Sequence, residues 1–189
     1  MKRVFIIHGW EGHPDEAWFP WLKTQLEKRG FEVYVPSMPN TEEPKIEEWV
    51  PHLKEMVKDP DENTFFVGHS IGCQTILRYL QDINSKVGGV VFVAGWVNLK
   101  PEALEEEGAE EIASPWLNNQ IKWDDIRQKC SNFVALFSDD DPFVFLSDAE
   151  IFKDKLGAKI ITLNNKGHIG GEANITELPE VLEELEDMQ

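Results

Sequence analysis

Several things are scarce in this chain. Across its 189 residues there is no run of about 18 apolar residues, so no membrane-crossing helix is expected. Cysteine occurs twice, as Cys73 and Cys130. Neither lies in a CxxC pair or a cluster spaced for a metal, so both are expected to be reduced thiols that pack as small hydrophobes. Basic residues are few: 18 Lys and Arg stand against 35 Asp and Glu, a net charge of −17. That balance argues against nucleic acid or an anionic membrane as a partner. Met1-Lys2-Arg3 leads directly into the apolar run Val4 to Ile7, too short for a signal peptide, and the cytoplasm is the expected location. There is also no internal repeat, low-complexity tract or linker, so a single domain over residues 1–189 is expected. With 41% apolar and 11% aromatic residues, that domain can bury a substantial core.

What is present is alternation. Arg3 to Ile7, Phe31 to Val35, Thr64 to Val67, Val87 to Ala94, Phe133 to Phe137 and Lys159 to Leu163 read as strands. Most are near-continuous apolar runs, the pattern of strands covered on both faces. Helical patterns lie between them. One is expected from Asp15 as cap to about Lys28, with Ala17, Trp21, Leu22 and Leu26 on one face and Gly30 as the stop. A second opens at Pro44 and reaches Val57. Others run from Cys73 to about Ile83, from about Ser147 to Leu156, and from about Glu177 onward. Residues 95–125 break the rhythm: they are acidic, contain Trp96, Trp116 and Trp123, and hold no clear strand. The alternation implies an α/β fold, a mostly parallel twisted sheet of about six strands with helices on both faces.

The most pointed signal is Gly68-His69-Ser70-Ile71-Gly72. A Gly-x-Ser-x-Gly between a strand and a helix is a nucleophile-elbow pattern. The serine sits on a tight turn, and glycine two positions before and after leaves room for the chain to close. The following helix aims its free N–H groups at the same spot. In an open parallel sheet, functional residues gather beyond the carboxyl ends of the strands. Those ends carry His8-Gly9-Trp10, Ser70, Gly95-Trp96, Ser138-Asp139-Asp140-Asp141-Pro142 and Gly167-His168.

A serine hydroxyl needs a base, commonly a histidine oriented by a carboxylate. Of the five histidines, His8 and His69 flank glycines in turns and suit local structural hydrogen bonds, while His13 and His52 read as surface or structural. His168 follows the last strand, on a loop free to face Ser70. Asp139, Asp140 and Asp141 each remain open as the acid; an Asx-type turn stabilised by Pro142 is the structural alternative. Adjacent aspartates on a short turn cannot all ligate one ion, so no metal or cofactor is expected. For an oxyanion the N–H groups of Ile71 and Trp10 are the candidate donors.

Taken together, these segments resemble the small serine hydrolases of the retinoblastoma-binding protein nine and YdeN type, within the α/β-hydrolase superfamily. The resemblance covers most of the chain. It is carried by His8-Gly9-Trp10, Trp18-Phe19-Pro20-Trp21, Gly68 to Gly72, Ser138 to Val144 and Gly167-His168. It implies a compact hydrolase lacking the first two strands usual in the superfamily. It also implies carboxylesterase-type hydrolysis of small esters through an acyl-enzyme, and an acid at Asp141, two residues before Phe143-Val144. Phe145 stands where relatives often have proline. On this reading Ser70, Asp141 and His168 are catalytic, and Trp10, Trp96 and Phe143 wall an apolar acyl pocket. Residues 95–125 are the candidate partial cap. Two alternatives stay open: a binding or regulatory protein on the same scaffold, and thioesterase, amidase or peptidase chemistry from the same residues.

Overall fold

The computed structural model describes residues 1–188. Six strands form one sheet: β1 (Arg3–Ile7), β2 (Glu32–Tyr34), β3 (Thr64–His69), β4 (Gly89–Val93), β5 (Phe133–Ser138) and β6 (Lys159–Leu163). Their order is β2-β1-β3-β4-β5-β6, and every neighbouring pair is parallel. Seven α-helices occur among the described residues: α1 (Phe19–Glu27), α2 (Ile46–Val57), α3 (Ile71–Asp82), α4 (Ala109–Asn118), α5 (Trp123–Arg127), α6 (Asp148–Leu156) and α7 (Pro179–Asp187).

Successive strand side chains point to opposite faces, and this splits the core in two. Val4, Ile6, Phe65, Val67, Val91 and Val93 meet Phe19, Leu22 and Leu26 of α1 and Val181, Leu182 and Leu185 of α7. Phe5, Ile7, Phe66, Val90 and Phe92 face Trp49 and Leu53 of α2, Ile76, Tyr79 and Leu80 of α3, and Phe152 of α6. Burial on both faces is why these strands are apolar throughout.

The chain leaves β1 for β2 on one side and then crosses to β3 on the other. The strand order therefore reverses between β1 and β3, and a crevice opens beyond their carboxyl ends. Ile7 pairs with Gly68 at that rim, so the turn after β1 lies beside the turn after β3.

The structure corrects two expectations and fills in a third segment. Helix α1 begins at Phe19, not just after Asp15. Ala17 has a left-handed backbone (φ 49°), which helical geometry excludes, and the buried Trp18 indole bonds instead to the carbonyl of Ile169 at 2.9 Å. Helix α2 begins at Ile46 after an extended Lys45; the Pro44 carbonyl accepts from Trp116 Nε1 at 2.9 Å. The segment 95–125 holds a 3-10 turn (Pro101–Leu104) besides α4 and α5. Trp96, Ala113 and Trp116 anchor it in the core, and the buried Arg78 donates to the carbonyls of Trp116 (2.6 Å) and Asn119 (3.2 Å), while most of the remaining residues are exposed or half-buried.

The elbow glycines are required by close approach. A Cβ on Gly68 would meet the Cys73 amide nitrogen at 2.8 Å, and one on Gly72 would collide with the Ile7 carbonyl oxygen and lie 2.7 Å from that of His8. Backbone cannot yield as a flexible side chain can. Gly72→Ala is thus expected to cost about 2 kcal/mol or more, or roughly 4–8 °C in Tm at this chain length. Calorimetry checks this, and an unchanged Tm contradicts the packing described.

Candidate active site

Ser70 joins β3 to α3 with φ 51° and ψ −119°, a region costing about 1–3 kcal/mol for a residue with a Cβ. Its amide donates to the Val93 carbonyl at 2.9 Å, and its carbonyl accepts from the Cys73 amide at 2.9 Å. Both bonds hold the turn. A serine at a helix N-cap ordinarily spends its hydroxyl on capping; here the side chain makes no capping bond. It faces a cavity of about 370 Å³ whose lining includes Gly9, Trp10, Ile71, Trp96, Phe143 and His168.

Across the cavity, His168 Nδ1 donates to Asp141 Oδ2 at 2.9 Å, leaving Nε2 as the nitrogen available to the pocket. Asp141 is buried (3% exposed). Its other oxygen accepts from the amides of Phe143 (2.8 Å) and Val144 (3.0 Å), so the carboxylate cannot rotate without breaking three bonds. The Asx-type turn therefore forms as well as the bond to His168.

The neighbouring aspartates act on the backbone of the histidine loop. Asp139 Oδ1 accepts from the Asn165 amide at 2.8 Å. Asp140 Oδ1 accepts from the Gly167 amide (2.8 Å) and the Ser138 hydroxyl (2.7 Å), and Ser138 Oγ accepts from the Lys166 amide (3.0 Å). These bonds, the Ser138 one first, hold the Asp140 carboxyl below the usual carboxylate range. Among the described residues no three His, Cys, Asp or Glu side chains are arranged to hold a metal ion.

Trp10, Trp96 and Phe143 all border the cavity. Phe143 packs edge-on against the His168 ring at 5.2 Å. The N–H groups of Trp10 and Ile71 are not given to any backbone acceptor among the described residues, and both residues line the cavity with Ser70. His8 has the expected structural role. Buried, it accepts from the Met38 amide at Nε2 (3.0 Å) and so donates from Nδ1 to the Gly9 carbonyl (2.9 Å); burial pushes its pKa down.

Two contributors have no clear sequence signal. Lys100 donates from Nζ to the Asp141 carbonyl at 2.6 Å and lies 6.0 Å over the Phe145 ring. A bridge between Leu99 and Val144 and a 2.8 Å bond from the Lys100 amide to the Phe143 carbonyl dock the segment after β4 against the acid loop. Asp148, buried at the start of α6, accepts from the Asn98 amide and side-chain amide, both at 2.8 Å. Only its place in a helix's first turn hinted at such a role.

A strained serine between strand and helix, at the crevice of an all-parallel sheet, defines an α/β-hydrolase. Solved structures agree. YdeN of Bacillus subtilis superposes with a TM-score of 0.91 at 27% identity, over 100% of this chain and 98% of that one. Est1E of Butyrivibrio proteoclasticus, solved with ferulic acid bound, gives a TM-score of 0.74 at 14% identity over 100% and 89%, a likeness of fold. The chain belongs to the serine hydrolase family, whose profile, described as "Serine hydrolase", matches residues 4–187. In sequence it is 28% identical to YdeN over 186 residues, covering 97% of this chain and 94% of YdeN. It is 27% identical to serine hydrolase RBBP9 of Rattus norvegicus over 153 residues, covering 80% of this chain and 77% of the rat protein.

Neither cysteine competes as a nucleophile. Burial pushes the Cys73 thiol far up and that of Cys130 up to about 11, which withholds the reactive thiolate. Ellman's reagent at neutral pH should find almost no reactive thiol in the folded protein and both after denaturation. Rapid reaction of the native protein would contradict this burial.

Proposed function

We propose that this serine hydrolase cleaves small carboxylic esters through an acyl-enzyme, with Ser70 as nucleophile, His168 as general base and acid, and Asp141 as the orienting carboxylate. The observation that carries the reading is the 2.9 Å bond from His168 Nδ1 to a buried Asp141, on a cavity shared with a strained, uncapped Ser70. Nδ1 is taken, so Nε2 removes the proton as Ser70 Oγ attacks the carbonyl carbon. The oxyanion is held by the amides of Ile71 and Trp10. His168 then protonates the leaving alkoxide, and later activates the water that releases the acid. Asp141 stabilises the imidazolium in both halves.

Trp10, Trp96 and Phe143 give the acyl side an apolar wall. Residues 99–109, of which Leu99, Glu102, Ala103, Glu106 and Ala109 border the cavity, form the partial cap; the rest of 95–125 is anchored through Arg78 and Trp116. Charge narrows the substrate further. Glu11, Glu16, Glu102, Glu106 and Glu172 line the cavity, and among the described residues no Lys or Arg lines it to balance them. Neutral or cationic esters are favoured over anionic ones.

Incubation with a fluorophosphonate probe and with p-nitrophenyl acetate and butyrate tests the chemistry. Wild type should label and turn over, whereas Ser70→Ala should do neither; no difference between them would replace the reading with that of a binding protein on a hydrolase scaffold. Asp141→Asn should lower kcat by roughly 10³–10⁴. Asp139→Asn and Asp140→Asn should cost far less, because each loses only bonds to the loop backbone. If Asp141→Asn alone stays active, the acid is misassigned. Thioester and anilide analogues of the same acyl group rank the alternative leaving groups.

For charge, kcat/KM for mono-p-nitrophenyl succinate should fall about tenfold below that for p-nitrophenyl butyrate, with the gap closing as salt is raised. Equal values at low salt would remove the acidic mouth as a determinant.

A further inference from the structure

The hydrogen bonds among Asp139, Asp140, Asp141, Ser138 and the histidine loop hold that loop from one side. From the other it meets two buried aromatic donors. His69 Nε2 lies 2.8 Å from the His168 carbonyl oxygen, and Trp18 Nε1 donates to the next carbonyl, that of Ile169, at 2.9 Å. A carbonyl can only accept, so Nε2 carries the proton of His69. Trp18 is fully buried and His69 is 7% exposed. The rings pack together, with His69 6.3 Å from Trp18, 6.2 Å from Phe19 and 5.0 Å from His168 itself.

The backbone they hold is strained. Ile169 has φ 52°, a genuine outlier for a β-branched residue, and such positions persist only when their surroundings over-determine them. Gly167 (φ 52°) precedes it. Without the two donors the carbonyls of His168 and Ile169 lose their partners, and the turn is left with the bond from the Ile169 amide to the Lys166 carbonyl (2.9 Å) and the buried Ile169 side chain.

We propose that His69 and Trp18 are positioning residues for His168: together they clamp consecutive carbonyls and lock the left-handed turn at Ile169 that presents the His168 ring to Ser70. The proposal rests on the hydrolase reading above. His69 borders the cavity beside Ser70 and Trp18 is fully buried; both act through the backbone of the base.

The state of His69 suits that task. Burial lowers its pKa to about 3, with the nearby His168 adding to the effect. It is therefore neutral at working pH and does not oppose the cation that forms on His168. The cost is a buried Nδ1 without a hydrogen-bond partner. It lies only 3.0 Å from where a Cβ on Gly9 would stand.

The test compares His69→Leu, of similar size without a donor, with His69→Gln, whose amide nitrogen reaches about as far as Nε2. Their kinetics on p-nitrophenyl acetate are read beside Ser70→Ala, with thermal unfolding confirming that each variant is folded. His69→Leu should lose roughly 10–100-fold in kcat with a smaller change in KM, because the base is displaced more than the pocket wall that His69 borders. His69→Gln should recover most of that loss. Trp18→Phe should fall in kcat as well, and it carries the test should His69→Leu fail to fold. In a His168→Ala background His69→Leu should cost nothing further, which a general loss of packing would not reproduce. Wild-type kcat in a folded donor-less variant overturns the clamp, as does a His69→Gln variant as slow as His69→Leu. A wild type no better than Ser70→Ala instead defeats the hydrolase reading on which the clamp depends.

Discussion

The approach of helix α3 to strand β1 governs the arrangement around Ser70. Its first turn comes so near the end of β1 that only a hydrogen fits between Gly72 and the carbonyls of Ile7 and His8. That contact brings the helix's free N–H groups beside the turn holding Gly9 and Trp10. It also obliges the chain to reverse within one residue, so Ser70 adopts φ 51°. A serine with an ordinary backbone would cap the helix with its own hydroxyl. The strained one presents it to the cavity. The strain is held by bonds from elsewhere, chiefly the Ser70 amide to the Val93 carbonyl, so the neighbouring strand β4 sustains the turn.

The histidine loop solves a different problem. It follows β6, whose residues are partly exposed, and only Ile169 and Gly170 of it are buried. Hydrogen bonds do the fixing. Three consecutive aspartates divide the work: two bind main-chain amides of residues 165 and 167, and the third binds the imidazole. The two roles differ in environment. Asp141 is buried, where an unpaired carboxylate would be costly, and it is fully partnered by His168 and two amides. Asp140 stays at the surface, where water shares the load.

The charge of the chain takes on meaning at the cavity. An excess of acid over base ordinarily reads as a solvated surface. Here five carboxylates line the same opening as the apolar walls of Trp10, Trp96 and Phe143. A field of one sign at the mouth of a low-dielectric cavity acts on any charged molecule approaching it before contact forms.

Much was legible from order along the chain. Apolar runs separated by helical periods determined a parallel sheet covered on both faces, and Gly68 to Gly72 marked the turn between β3 and α3, because these are local requirements of backbone and burial. Ser70 and His168 stood out because each follows a strand whose carboxyl end opens on the crevice. Local sequence left the three aspartates equivalent, and only the resemblance to related hydrolases singled out Asp141; the fold places Asp141, and neither neighbour, on the His168 ring. The start of α1 escapes local sequence for the same physical reason. Asp15 is a good cap by local rules, yet Ala17 turns left-handed while the Trp18 indole reaches a carbonyl 151 residues away. His69, which by local signal is a structural turn residue, spans 99 residues to the His168 carbonyl. Periodicity and turn chemistry act over a few residues and can be read in order; which donor meets which distant carbonyl is decided only when the strands are set side by side.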